Sequence, residues 1–411
     1  MLAERREKLL KELPDYSITL FRSGEAPYSL GDEKYPFEID RTFYYYTGLD
    51  RENLNLMLIK TPKMQQTVLF IEPFDPVMAK WVGGRILREE ASEISGIKDV
   101  RYNDQLEETI SRMIGFLEKS QPVTLCGELS KMELNQNWPL ADLFNKIRER
   151  HPAVTVRNIA GLTGAARMVK DEEEVELIRK AIAVTNQGIK AMMKSARENV
   201  WENEMEACFD FVLKCRQCGH AFHTICASGK NATVLHYGEN NQQSKPGDLL
   251  LCDLGASWKY YKADITRTFP INGKFSERQR EIYDLVLKAN QLVKEAAKPG
   301  MTTRDLNNIV VEFYEKELPN IGLCQDGKTV RDYYWHGVSH HLGLETHDVS
   351  APDGILKPGC VITNEPGLYL EDEGIGIRIE DDLLITEDGC ICLSEAIMKD
   401  PDEIERFMAK K

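Results

Sequence analysis

The chain has 411 residues, 42% hydrophobic and 29% charged, which predicts a globular protein of two or three domains and excludes a disordered one. A formal net charge of −14 argues against general nucleic-acid binding, because an acidic surface repels phosphate backbones. No apolar run approaches the ~18–20 residues that span a bilayer, and the opening Met1–Lys8 is charged with no apolar signal core, so a cytoplasmic protein without membrane contact is expected.

In chain order, Asn55–Ile59 and Thr67–Ile71 read as short apolar strands. Gln105–Lys119 has helical spacing, with Leu106, Ile110, Met113, Ile114 and Leu117 on one face, and Val123–Cys126 reads as a further strand. This alternation predicts an α/β layer domain over residues 1–160. Gly161 and Gly164 interrupt the pattern within Ile159–Val169 and mark the start of a second domain, 161–411. A long helix should begin after Asp171, capped with Glu174 three residues on, its stripe made of Val175, Ile178, Ile182, Ile189 and Met192. A second runs over Glu277–Lys298 with Ile282, Leu285, Val286 and Val293. Thr185–Lys190 aligns with Ala289–Lys294, and each long helix precedes another helical stretch, Glu202–Lys214 and Thr303–Lys316. An internal duplication explains the repeated order better than two unrelated helix pairs do.

Seven of the eight histidines lie between His220 and His347, which places the chemistry in the second domain. Nine of the ten cysteines also follow residue 200. Cys215 and Cys218 form the one CxxC, without the second ligand pair that a structural zinc site needs, and ordinary thiols in a reducing compartment are expected. Asp248–Ala256 and Lys259–Phe269 read as antiparallel strands with Asp253 and Asp264 among apolar residues. A buried unpaired carboxylate must be paired, protonated or metal-bound; either Asp alone is better explained as a strand-end residue bonded to backbone amides. His336 and His340 have the HxxxH spacing of a helical zinc site, but position 337 is glycine where that motif carries its general-base Glu, and Gly337 and Gly343 favour a loop. Glu365 closes a strand before Pro366-Gly367, and Arg378 and Glu380 should share one strand face. Four carboxylates and one imidazole are the ligand count for a pair of divalent ions, with oxygen-rich donors suiting Mn, Co or Fe over a lone Zn. Such a pair supports hydrolysis of a peptide-like bond.

The motifs Cys252–Gly255, Ala263–Pro270, His336–His340, Asn364–Tyr369 and Gly376–Asp381 resemble, in order, those of the pita-bread metallopeptidases, and of their Xaa-Pro aminopeptidases (aminopeptidase P) in particular. Tyr35–Leu49 is similar to the N-terminal domain that aminopeptidase P and prolidase carry and methionine aminopeptidases lack. The resemblance implies an α/β N-terminal domain followed by a duplicated pita-bread catalytic domain. It implies two divalent metal ions, Mn2+ first and Co2+, Fe2+ or Zn2+ as substitutes, held by Asp253, Asp264, His340, Glu365 and Glu380. It further implies attack of a metal-bridging hydroxide on the bond before a penultimate proline. Glu365 would accept the proton, and His236 and His347 would contact the scissile carbonyl. His336 would line the proline pocket, and Tyr369 and Arg378 would support the site. Trp81, in Lys80–Arg85, resembles a residue that reaches a neighbouring subunit's active site, which implies a homodimer or homotetramer. His223, His341 and Asn364 depart from the commonest family pattern without removing a ligand. The rivals are prolidase, which shares these ligands and differs in the loops that limit peptide length, a metal-free creatinase-like enzyme, and an inactive pita-bread binding protein. The intact ligand set disfavours the last two.

Overall fold

A computed structural model describes residues 1–129 and 139–410, which divide into two units, Met1–Ala166 and Arg167–Lys411. In the first, the apolar runs form a six-stranded mixed sheet: β1 (Ser17–Arg22), β2 (Asn55–Lys60), β3 (Gln65–Ile71), β4 (Asp99–Tyr102), β5 (Thr124–Gly127) and β6 (Thr155–Asn158), in the order β4-β3-β2-β1-β5-β6. The pairs β1–β2 and β2–β3 are antiparallel and the other three parallel. Alternate residues point to opposite faces of a strand. Ile18, Leu20, Met57, Ile59, Val68 and Phe70 therefore share one face, covered by Ile110, Ile114 and Leu117 of helix Leu106–Leu117 and by Phe144 and Ile147 of helix Pro139–Arg150.

The second unit opens its first long helix, Glu172–Ser195, with a capping box in which Asp171 and Glu174 satisfy each other's backbone N–H groups. The whole predicted stripe, Val175, Ile178, Ile182, Ile189 and Met192, is buried. Helix Glu202–Cys215 packs on it. Helices Glu277–Ala296 and Thr303–Glu317 repeat the arrangement, each with its own capping box, Ser276 with Gln279 and Thr302 with Asp305. Of the second stripe, Ile282, Val286 and Val293 are buried and Leu285 is partly exposed. Antiparallel strands follow each helix pair, so the two halves run in the same order.

After the first pair come β7 (Gly219–His220), β8 (Ile225–Ser228), β9 (Leu249–Leu254), β10 (Ala256–Trp258), β11 (Tyr261–Lys262) and β12 (Ile265–Pro270). Strand β9 lies between β8 and β12, antiparallel to both. Gly255 sits where the chain crosses itself: a Cβ there would lie 1.8 Å from the Ala263 carbonyl oxygen. That close approach brings Asp253 on β9 near Asp264, just ahead of β12. After the second pair come β13 (Val361–Asn364), β14 (Gly367–Leu370), β15 (Ile375–Arg378), β16 (Asp381–Ile385) and β17 (Cys390–Cys392). The expected single strand carrying Arg378 and Glu380 is broken between them. Ile379 N–H donates to Pro366 O and Glu380 N–H to Thr266 O, so these two amides leave their own ladder for other parts of the sheet. Glu380 consequently lies at a strand junction.

Among the described residues, no helix is long and apolar enough to cross a membrane. All ten cysteines are free.

Packing of the first helix pair generates a test. A Cβ on Gly188 would lie 2.2 Å from Cδ2 of the fully buried Phe209. Helix propensity alone predicts that Gly188→Ala stabilises by ~1 kcal/mol, whereas overpacking predicts a loss of ~1–3 kcal/mol. Urea unfolding should show a lower midpoint for the variant; an equal or higher midpoint would mean that the Phe209 ring yields without strain.

Candidate active site

Asp253, Asp264, His340, Glu365 and Glu380 all line one cavity of about 300 Å3, together with His236 and His347. Asp253 projects from β9 in register with Thr266 on β12. Glu365 lies between β13 and β14, and Glu380 between β15 and β16. His340 belongs to an irregular segment running beside β13, with Thr363 N–H donating to His340 O and the Thr363 hydroxyl accepting from His340 N–H. His336–His347 is therefore no zinc-protease helix, as Gly337 and Gly343 imply.

Among the described residues, ligand atoms of Asp264, His340 and Glu380 converge within 4.8 Å of one another. His340 Nδ1 lies 3.0 Å from the His341 carbonyl oxygen and so carries the proton. Its Nε2 lone pair then faces Asp264 at 3.4 Å and Glu365 at 3.6 Å. Asp253 Oδ2 accepts from Arg378 at 2.6 Å, and Asp253 Oδ1 is buried without a hydrogen-bond partner.

Burial, reinforced by the charges of Asp253, Asp382 and Glu365, holds Asp264 well above the usual carboxylate range. Burial does the same to Glu380, with Asp264, Glu365 and Asp253 adding to it, and burial raises Glu365. Acids that resist ionisation this strongly, beside an orphaned carboxylate oxygen and an imidazole lone pair, are a donor set that a divalent cation satisfies. The residues present fit such ions.

A second layer orders this set. Arg378 donates through Nε to the Thr266 hydroxyl at 3.0 Å and through Nη1 to the Tyr369 hydroxyl at 2.9 Å. Thr266 donates in turn to Glu380 at 2.6 Å. Tyr369 also lies 2.8 Å from His336 Nε2, while His336 Nδ1 lies 2.8 Å from Gly337 O. The carbonyl requires N–H at Nδ1, so Nε2 accepts from Tyr369. Burial and the Arg378 charge lower the His336 pKa to about 4, keeping that ring neutral. Burial, then the neighbouring imidazoles His340 and His236, also lower His347.

Trp81 lies on helix Ala79–Val82 of the first unit, with its side chain 81% exposed. Cys215 and Cys218 stand at the end of helix Glu202–Cys215, outside the cavity lining. Sequence reasoning did not single out Thr266, Thr346 on the cavity wall, or the fully buried Asp382, which accepts from Asp264 N–H at 3.3 Å. The available signal was the two-residue period that places Thr266 after Asp264 and Asp382 after Glu380.

Buried acids near strand ends and an imidazole from an irregular segment, gathered in one cavity, fit a metal-assisted hydrolase. Comparison with known proteins gives the same class. Residues 176–387 match the model of metallopeptidase family M24, and residues 2–121 match the aminopeptidase P N-terminal domain. The chain is 32% identical to the Xaa-Pro aminopeptidase of Haemophilus influenzae, over 98% of this chain and 96% of that one. A solved structure of a candidate aminopeptidase P from Bacillus anthracis is 45% identical, with a TM-score of 0.96, covering 100% of this chain and 98% of that one. Zinc-substituted Escherichia coli aminopeptidase P in complex with product is 29% identical, with a TM-score of 0.90 and the same coverage. The chain belongs to metallopeptidase family M24 and is a metal-dependent aminopeptidase with the pita-bread catalytic fold.

The raised carboxylates generate a pH test. In chelator-treated protein, Asp264 and Glu380 hold protons in the folded state that the unfolded chain releases above pH ~4. The folded state then binds more protons, so stability falls as pH rises through that window, by up to ~1.4 kcal/mol per pH unit for each of the two groups. Thermal melts between pH 5 and 8 should show this fall, and Glu380→Gln, which carries no charge at any pH, should flatten it. An unchanged slope in the variant would show that Glu380 is not one of the groups responsible.

Proposed function

We propose that the enzyme releases the N-terminal residue from peptides whose second residue is proline. It would hold two divalent ions per chain, Mn2+ foremost, on Asp253, Asp264, His340, Glu365 and Glu380. The observation that carries this reading is the convergence of Asp264, His340 and Glu380 in a cavity shared with two further acids, Asp253 and Glu365, and three further imidazoles, His223, His236 and His347. The bound ions supply Lewis-acid polarisation of the scissile carbonyl and activation of water at neutral pH.

The chain's own groups do the rest. Glu365 has a raised proton affinity and is suited to take the proton of the attacking water and pass it to the leaving proline nitrogen. His347, kept neutral by its lowered pKa, donates N–H toward the carbonyl oxygen as negative charge develops there, and His236 approaches from the facing loop. His336 has both nitrogens engaged within the chain, so its ring offers substrate an apolar wall suited to proline. Arg378 and Tyr369 fix that wall and Asp253 at once. We further propose a cytoplasmic location, where the ten cysteines stay reduced, and a homodimer or homotetramer in which Trp81 meets a neighbouring subunit.

Incubation with Mn2+ and either an Xaa-Pro-Yaa tripeptide or an Xaa-Pro dipeptide tests the substrate assignment: faster turnover of the tripeptide is expected, and cleavage of the dipeptide alone would make the enzyme a prolidase. Two variants separate the imidazole roles. His340→Ala should lose metal and activity together. His347→Ala should retain metal and lose roughly 10²–10³-fold in turnover, the effect of one oxyanion donor. Metal loss in His347→Ala with retention in His340→Ala would reverse the assignments. For the assembly, light scattering should report an even oligomer; a fully active monomer would remove the role of Trp81.

A further inference from the structure

We infer that Glu202 is a positioning residue for the reaction, acting through the loop that presents His236. The inference rests on the reading that His236 contacts the scissile carbonyl.

Glu202 opens helix Glu202–Cys215 and is 1% exposed. A buried carboxylate normally has a cationic partner. Among the described residues this one has none and instead accepts five hydrogen bonds. Oε1 accepts from the Ser228 N–H at 2.8 Å, the Ser228 hydroxyl at 2.7 Å and the Asn231 amide at 2.9 Å. Oε2 accepts from the Tyr237 hydroxyl at 2.7 Å and the Gln242 N–H at 2.9 Å. The donors stand at positions 228, 231, 237 and 242, so one side chain ties both ends and the middle of the loop that carries His236.

Among the described residues, His236 has no hydrogen-bond partner, and it is exposed to the cavity that it lines. Its ring can be placed only through its neighbours. The next residue, Tyr237, is buried; burial and Glu202 push its pKa up to about 12, so it stays an O–H donor to the carboxylate. One residue further on, His223 Nε2 donates to Gly238 O at 2.7 Å, and on the preceding flank the Asn231 amide donates to Glu202. The loop is thus pinned on both flanks of His236, and Glu202 makes most of the bonds.

All five partners are donors, so both carboxylate oxygens must act as acceptors. Glutamine turns one oxygen into a donor, which then faces either the Ser228 and Asn231 donors or those of Tyr237 and Gln242, and buried donors are left unpaired. The loop must shift to relieve them. A displacement near 1 Å in a catalytic group can lower turnover roughly 10²-fold.

The test is a double-mutant cycle on the metal-loaded enzyme, with tripeptide turnover and metal content measured for wild type, Glu202→Gln, His236→Ala and the double variant. Glu202→Gln should lower kcat by about 10–100-fold with metal content unchanged. In the His236→Ala background the same substitution should cost less than about threefold, because the group it positions is gone. A merely structural Glu202 would lower activity equally in both backgrounds, and that result overturns the inference, as does wild-type kcat in Glu202→Gln. Wild-type turnover in His236→Ala would instead overturn the role of His236, and this inference with it. Should Glu202→Gln fail to fold, Tyr237→Phe removes one donor and leaves the carboxylate. Its loss, about threefold to tenfold, should also vanish in the His236→Ala background, and an additive loss overturns the inference.

Discussion

The burial of like charges governs this molecule. Asp264 and Glu380 are almost fully buried, and Glu365 and Asp253 line the same small cavity. Left alone, such a cluster is costly in free energy and holds protons to avoid it. A protein retains an arrangement of this kind when a bound cation offsets it. The metal requirement therefore follows from where the fold places its acids. Four carboxylates at an exposed surface would ionise freely and bind cations weakly.

The surrounding structure keeps the acids in place against their own repulsion. Arg267, fully buried, donates to the Glu380 carbonyl at 2.5 Å, to the Thr266 carbonyl at 2.9 Å and to Asp381 at 2.7 Å. Lys399 pairs with the other oxygen of Asp381 at 2.6 Å. This frame sets two cations against one carboxylate and fixes the backbone on which Glu380 and Thr266 ride. Arg378 works on the side chains, holding Asp253 and orienting Tyr369 and Thr266. One arginine thus secures the peptide chain under the acids and another secures the acids themselves. Both arginines are buried, and removal of Asp381 or Asp253 would leave a buried guanidinium without its carboxylate.

Much of this was legible in the sequence, for physical reasons that can be named. The Asp171–Glu174 capping box and the stripe from Val175 to Met192 are local patterns, and local patterns survive folding unchanged. Asp253 and Asp264 stood out because an acid inside an apolar strand demands a partner. The interruption at Glu380 was not legible, since its cause is tertiary: the amides of Ile379 and Glu380 find acceptors at Pro366 and Thr266. For the same reason Arg378 and Glu380 looked set on one strand face, whereas Arg378 pairs with Asp253, 125 positions distant in the chain. Thr266 looked like any strand threonine, and Glu202 like any acid in a first helical turn. Their partners come from segments that no sequence window contains.

The central claim is that burial keeps protons on the metal-binding acids until a cation replaces them. Calorimetric titration of Mn2+ into chelator-treated protein at pH 7, in two buffers of different ionisation heat, measures that exchange directly. The account predicts release of about one or more protons per chain as metal binds, with the release reduced in Glu380→Gln. Tight metal binding with no proton release would contradict it.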